Sequence, residues 1–277
     1  CYESLVRKAL KLPWKPAVVL LFSVFANDWN LQERLRLVGD LYDLPMVSIL
    51  NAVTPQFSLK CDEGRILSKN QFFYDIFHPN NTGHTIMADC LQYLFERCDA
   101  AEPARVGTFV EGMTEEQILS EKLSGPAVIG ADFERIFLLD KKNRYVGAKI
   151  RAGSFTSTDI ELQSVEMDGN LTQTPEFPYN WMYDGSRPQM PGFEMEITCK
   201  SLFLIFKDSG EMDVGKANVF VNDVYCMTAD PHKNNWLHCN AVLLFWETES
   251  RSHKVRIAVT EEDRNKKFTI LGFGYTI

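Results

Sequence analysis

Asp75 and His78 stand three residues apart in the stretch YDIFHPNNTGH, residues 74–84. An imidazole with an ordinary pKa of about 6.5 can take a proton at neutral pH and return it. It does this well when its ring is held in one tautomer. An acid hydrogen-bonded to the other ring nitrogen does that holding and stabilises the imidazolium as it forms. Asp75 and His78 can meet in this way, which leaves the second nitrogen of His78 free to face outward. Its natural target is a serine hydroxyl. A pair at this spacing can also do no more than tie a loop, because such sites are defined by geometry and not by spacing.

The elements around the pair decide where it sits. Tyr2, Leu5, Val6, Ala9 and Leu10 recur at helical spacing. Residues 17–22 form a continuous apolar run, the pattern of a strand buried on both faces of a parallel sheet. Residues 31–42 read as a helix and 45–50 as a second short buried strand. A polar loop follows, then the 74–84 stretch. Next comes a helix over about 82–98, capped at Asn81 or Thr82, with Ile86, Met87, Cys90, Leu91, Leu94, Phe95 and Cys98 inward. Strands alternating with helices imply an α/β layer fold with a mainly parallel sheet. Two strands alone do not complete such a sheet. The expectation is that the front of this domain lies outside the chain. His78 would then sit at the carboxyl edge of the strands, where open α/β sheets place their sites.

The pattern changes near residue 104. Residues 114–123 read as one short helix. Thereafter short strands are expected at 194–198, 202–207, 217–222, 241–246, 254–260 and 268–275, with turn signals between them. That spacing predicts a β-sandwich or jelly roll. The expected division is 1–103 and 104–277.

Asp75-x-x-His78-Pro79-Asn80 followed by Gly83-His84 and an apolar helix resembles the last conserved block of the SGNH (GDSL-type) hydrolases. Residues 1–10, 15–24 and 44–49 are similar to the second half of that flavodoxin-like, three-layer domain. The resemblance covers about residues 1–100. It implies that Asp75 and His78 are the acid and base of a Ser-His-Asp triad, and that the chemistry is two-step acyl transfer without a cofactor. Two-domain relatives often remove acetyl groups from carbohydrates, so an acetylated saccharide or a small acyl ester is the implied substrate. The departures matter equally. The family's Gly-Asp-Ser strand end, which bears the nucleophile, is absent. Asp184-Gly185-Ser186 and Asp208-Ser209-Gly210 follow the Asp-His block, the wrong chain order, and with Ser23 they are the fallback nucleophiles. Asn27-Asp28 at a strand end resembles the oxyanion block and offers Asn27 as a donor, but Phe25 stands where Gly is expected. The nucleophile is therefore expected on a missing N-terminal segment, on this or another polypeptide, and the chain alone is expected to be inactive. The competing reading is a non-catalytic carbohydrate-binding or structural β-sandwich protein carrying an inert remnant.

Other features narrow the field. The chain has 277 residues, 45% hydrophobic and 24% charged, with formal net charge −8. An acidic chain without a Lys/Arg run does not read as a nucleic-acid or anionic-membrane binder. No apolar run is long enough to span a bilayer. Self-association is left open. The seven Cys are odd in number and lack a CxxC pair, which favours reduced, buried thiols and slightly favours a cytoplasmic setting. His78 and His84 lack an i, i+4 spacing and an accompanying cluster, so no metal is expected. His84 reads as a surface residue, and His232, His238 and His253 as structural or solvated. Trp246 reads as core. Trp181 and Trp236 lie in polar, turn-rich stretches and are expected to be the exposed candidates for sugar contact.

Overall fold

The computed structural model describes residues 1–100, 112–161, 177–234 and 237–277. It comprises two compact units that divide between Glu134 and Arg135.

In the first unit, β1 (Leu20–Phe22) pairs in parallel with β2 (Met46–Ser48), with Leu21 opposite Val47. Alternate strand residues feed two cores. Leu20 and Phe22 pack with Val6 of α1 (Tyr2–Leu10), Val38 and Tyr42 of α2 (Gln32–Tyr42), and Leu119 and Leu123 of α6 (Glu115–Ser124). Val19, Val24 and Val47 pack on the other side with α3 (Ile49–Phe57), Phe72 of α4 (Lys69–Phe72), and Ile86, Met87 and Leu91 of α5 (Asn81–Ala100). The result is a helix–sheet–helix sandwich, the expected α/β class. Both expected strands are shorter than their apolar runs. At the second, the Ser48 side chain accepts the Asn51 N–H at 3.0 Å and starts α3 at Ile49, where a polar loop was expected. Leu5 is exposed, and so are Phe95 and Cys98 of α5, which were expected inward.

The unit runs beyond the expected boundary at 103 because a polar clasp holds residues 123–134 to α1. Glu3 is fully buried, and its carboxylate accepts the N–H groups of Val128, Ile129 and Gly130 at 2.6–3.0 Å. Arg7 donates to Glu134 (2.7 Å), Tyr42 (2.7 Å) and the Leu123 carbonyl (2.5 Å). Burial works against ionisation of Glu3, but the three N–H donors and the Tyr42 hydroxyl outweigh it and hold its pKa low.

The second unit is antiparallel β. Strand order is β3-β10-β6-β9-β7-β8, with β4 (Ala148–Arg151) on β6 and β5 (Trp181–Tyr183) on β10. The ends of the path are β3 (Phe137–Leu139) and β8 (Val224–Ala229), and β7 is Ala217–Val221. Expected strand pairs turn out to be single long strands. β6 (Phe193–Asp208) and β9 (His238–Val259) each run through the bend of a sandwich. The register shifts between Cys199 and Ser201, where two steps along β6 face five along β9 (Arg251 to Trp246), and the inward set of β6 changes from Phe193, Met195, Ile197 and Cys199 to Leu202, Leu204 and Phe206. Both halves of β6 thus line one core, which β10 (Phe268–Thr276) helps to close. Trp181 is buried in that core, packed on Phe193 and Phe273, and Trp246 is half exposed, both opposite to expectation. Trp236 lies outside the described residues. Of the thiols expected to be buried, Cys199 is, Cys90 is half-buried, and Cys61, Cys98 and Cys226 are exposed.

Candidate active site

The loop that carries Asp75 and His78 is clamped at both ends. Phe73 and Pro79 form an antiparallel bridge, Tyr74 N–H donates to the His78 carbonyl at 3.1 Å, and Asn80 N–H donates to Phe72 O at 2.8 Å. The Asn80 side chain then accepts the Gly83 N–H at 3.0 Å and caps α5, one residue earlier than expected. Gly83 has no substitute here. A Cβ on it would lie 2.4 Å from the Phe72 carbonyl oxygen and 2.7 Å from Pro79 Cβ. The Pro, Asn and Gly of the motif therefore act together to fix the loop on the start of the helix.

Within the loop, Asp75 Oδ2 lies 2.8 Å from His78 Nδ1 and Oδ1 lies 3.1 Å from it. Oδ1 also accepts the backbone N–H groups of Phe77 and His78, each at 2.7 Å. The His78 ring contact first, and these N–H donors after it, hold the Asp75 carboxyl below the ordinary carboxylate range. The carboxylate is thus pinned on three sides, and the ring it orients is 60% exposed. With Nδ1 on the acid, Nε2 is the nitrogen left for an incoming group.

A second loop from the end of β1 lies against the first. Ala26 N–H donates to the Ile76 carbonyl at 2.9 Å, and the Phe25 ring meets Phe77 edge-on at 5.3 Å. Asn27 is exposed, and its Oδ1 accepts the Trp29 N–H at 3.1 Å, which leaves its amide N–H₂ as the free donor end. Lys69 Nζ ties this loop down through the Ala26 carbonyl (2.6 Å) and Asp28 (3.0 Å). The structure thus brings Asn27 to the same end of the sheet as Asp75 and His78. The Asn-Asp-Trp run after an apolar strand is the sequence signal for this loop. Trp29 was not singled out by its sequence, because an isolated Trp carries no periodic signature.

Other expected sites fall elsewhere. Asp184 Oδ1 accepts the Ser186 N–H (2.9 Å) and hydroxyl (2.5 Å), and Oδ2 accepts the Ser157 hydroxyl (2.6 Å). These bonds pull the Asp184 carboxyl down to about 2. Asp184-Gly185-Ser186 is therefore a tight turn, with Gly185 at φ +76°. Ser209 is buried and its hydroxyl accepts the Glu211 N–H. Ser23 and His84 are exposed. His253 is buried, and His232 donates to or accepts at local turn groups. Among the described residues no group of three or more His, Cys, Asp or Glu could hold a metal ion, and no helix is long and apolar enough to cross a membrane.

No family model and no curated protein matches the sequence. Solved structures do match. A two-domain esterase (CEX) active on acetylated mannans superposes over 100% of this chain and 68% of its own length, at TM-score 0.70 and 18% identity. The same esterase co-crystallized with mannopentaose gives TM-score 0.69, 19% identity and coverage of 99% and 67%. The chain has the fold of this two-domain esterase. The α/β part that the SGNH resemblance implied, followed by the β-sandwich that the strand spacing predicted, is the architecture observed. The chain spans about two thirds of the esterase's length.

Proposed function

We propose that this protein is the larger part of a serine-type ester hydrolase that removes acetyl groups from carbohydrate. The observation that carries this reading is the Asp75–His78 hydrogen bond of 2.8 Å, on a loop locked to the end of β1. In this scheme the serine belongs to a segment outside residues 1–277, on the same polypeptide or on a separate chain. Its Oγ attacks the acetyl carbonyl carbon while His78 Nε2 takes the proton. The carbonyl π pair moves to oxygen, where the Asn27 amide is placed as a donor. Collapse breaks the bond to the sugar oxygen, which leaves with the proton from His78. Water then repeats the sequence on the acyl-serine and releases acetate. Asp75 holds the imidazole tautomer throughout, and no cofactor enters.

Two further facts support the reading. β1 has no partner on its outer edge among the described residues, and Leu21 on it is exposed, a place where further parallel strands fit. The esterase of the same fold is active on acetylated mannans, so acetylated polysaccharide is the substrate class put to the test.

The experiment compares two proteins on p-nitrophenyl acetate. The 277-residue chain alone should hydrolyse it little faster than free imidazole. A form extended at the N-terminus by its serine-bearing segment should be a strong esterase, and His78→Ala in that form should lower the rate by several orders of magnitude. Full activity of His78→Ala would remove His78 from the mechanism. Strong activity of the 277-residue chain would place the nucleophile within it and direct attention to Ser23, Ser186 and Ser209.

A further inference from the structure

Beside His78 the structure exposes a run of aromatic rings. Phe77 meets the imidazole edge-on at 6.2 Å, Phe25 meets Phe77 edge-on at 5.3 Å, and Trp29 stacks on Phe25 at 5.0 Å with 21° between the planes. Trp29 is 51% exposed and Phe77 54%. Exposed rings on a loop are normally free to move. These are not. Phe25 N–H donates to the Trp29 carbonyl (3.0 Å), Asp28 N–H to the Phe25 carbonyl (2.8 Å), and Asp28 adopts φ +65° to close the turn. Asn27 Oδ1 takes the Trp29 N–H, and Lys69 anchors both Ala26 and Asp28. A large apolar surface held rigid and in water is an unusual expense unless something binds it.

We propose that Trp29, buttressed by Phe25 and Phe77, is the platform that receives the saccharide whose acetyl group is removed. The proposal rests on the ester-hydrolase reading of Asp75 and His78 and names the part of that site which sets its substrate. Three observations carry it. The ring run begins at the imidazole, and His78 is the group that protonates the departing oxygen. On this proposal the sugar that owns that oxygen lies along the rings. The surface is mixed in character: the amide of Asn27, the carboxylate of Asp28 and the ammonium of Lys69 surround the Trp29 loop. A pyranose has an apolar C–H face and a rim of hydroxyls, so a rigid ring beside amide and charged groups matches it. A peptide or lipid partner would favour a wider apolar groove without such a rim. Finally, the platform is pre-organised, so binding a flexible polymer need not also order the protein.

The test uses mannopentaose as probe on the 277-residue protein and follows the Trp29 indole N–H by NMR, assigned through Trp29→Phe. The proposal expects that resonance to shift on titration. In the esterase-active extended form, Trp29→Ala should lose about tenfold more kcat/KM on an acetylated oligosaccharide than on p-nitrophenyl acetate, with the loss in KM. Trp29→Phe, which keeps a ring, should recover most of it. No shift at Trp29, or equal losses on the two substrates, overturns the platform. His78→Ala separates the two readings. It should abolish hydrolysis yet leave the Trp29 shift intact, and hydrolysis that survives His78→Ala removes His78 from the mechanism whatever Trp29 does.

Discussion

The backbone N–H of Ala26 donates to the carbonyl of Ile76 at 2.9 Å, and this one bond joins the loop that ends β1 to the loop that holds Asp75 and His78. Residues fifty apart in sequence thereby lie side by side at the candidate site. Asn27 and Trp29 come from the first loop and the imidazole from the second. A change in either loop should be felt in the other, because Phe25 and Phe77 pack across the joint.

Asp75→Asn tests the acid. The mutant side chain can still reach Nδ1, but its amide favours the wrong imidazole tautomer. In the esterase-active form kcat should fall by about three to four orders of magnitude. The charge itself can be followed in the chain as it stands. The folded pKa of Asp75 is lowered, so the favourable contribution is complete above the unfolded value of about 3.9 and is lost as pH falls through the folded value. A carboxyl NMR titration should therefore show a midpoint below the ordinary one, and His78→Ala should move it upward. A midpoint at or above the ordinary value would break the proposed bond.

Gly83 and Asn80 test the clamp. Gly83→Ala forces a Cβ into the Phe72 carbonyl, and relief must come from moving α5 or the loop. A cost of about 1–3 kcal/mol is expected from this overpacking. Asn80→Ala removes the cap on Gly83 N–H and should cost about 1 kcal/mol. Denaturant melts measure both. The sharper sign is the His78 ring resonance, which should broaden or shift in Gly83→Ala. An unaltered His78 environment would mean that the motif glycine does not position the imidazole.

The α/β order, the antiparallel second half and the Asp-His contact were all legible in the sequence, for a physical reason. Buried runs such as 17–22, helical spacing in 2–10 and an acid three residues before a His are short-range signals. What escaped was long-range or local to one atom. Residues 247–252 are as polar as a loop, yet they continue β9, because pairing with β6 resumes on both sides of the irregularity, at Trp246 with Ser201 and at Arg251 with Cys199. Trp181 sits in a turn-rich stretch but is drawn into the core by pairing with β10, opposite Ile270. Residues 112–134 looked like the start of the second unit because the clasp holding them to the first depends on Glu3 and Arg7, about 125 residues away, and no local pattern announces such a pair.

Glu3 tests that clasp. Glu3→Gln turns an acceptor-only carboxylate into an amide with an N–H₂ end facing three N–H donors. A loss of about 2–4 kcal/mol in the stability of the first unit is expected. Hydrogen exchange at Ile129 and Gly130 should accelerate in step. Because the folded pKa of Glu3 is lowered, the native protein should lose this contribution only as pH drops below the unfolded glutamate value of about 4.3, and the variant should lack that acid dependence. Unchanged exchange at Ile129 in Glu3→Gln would show that other contacts hold the segment.

Cys199 gives the last test, in the second unit. Its side chain is fully buried where β6 changes its inward set, and burial, aided by the Glu247 carboxylate, pushes the thiol up to about 12. A raised thiol pKa means the folded state holds the proton more tightly than the unfolded one. The associated stability is complete below the unfolded value of about 8.5 and is lost as pH rises toward 12. Two outcomes follow. At pH 8 a disulfide reagent should label exposed Cys61, Cys98 and Cys226 within minutes and Cys199 only on unfolding, since the thiolate is the reactive form. Between pH 9 and 11 the native protein should lose stability more steeply than Cys199→Ala, whose buried site has nothing to ionise. Native-state labelling of Cys199 at the rate of the exposed thiols, or identical alkaline slopes for the two proteins, would show that the bend of β6 opens to water.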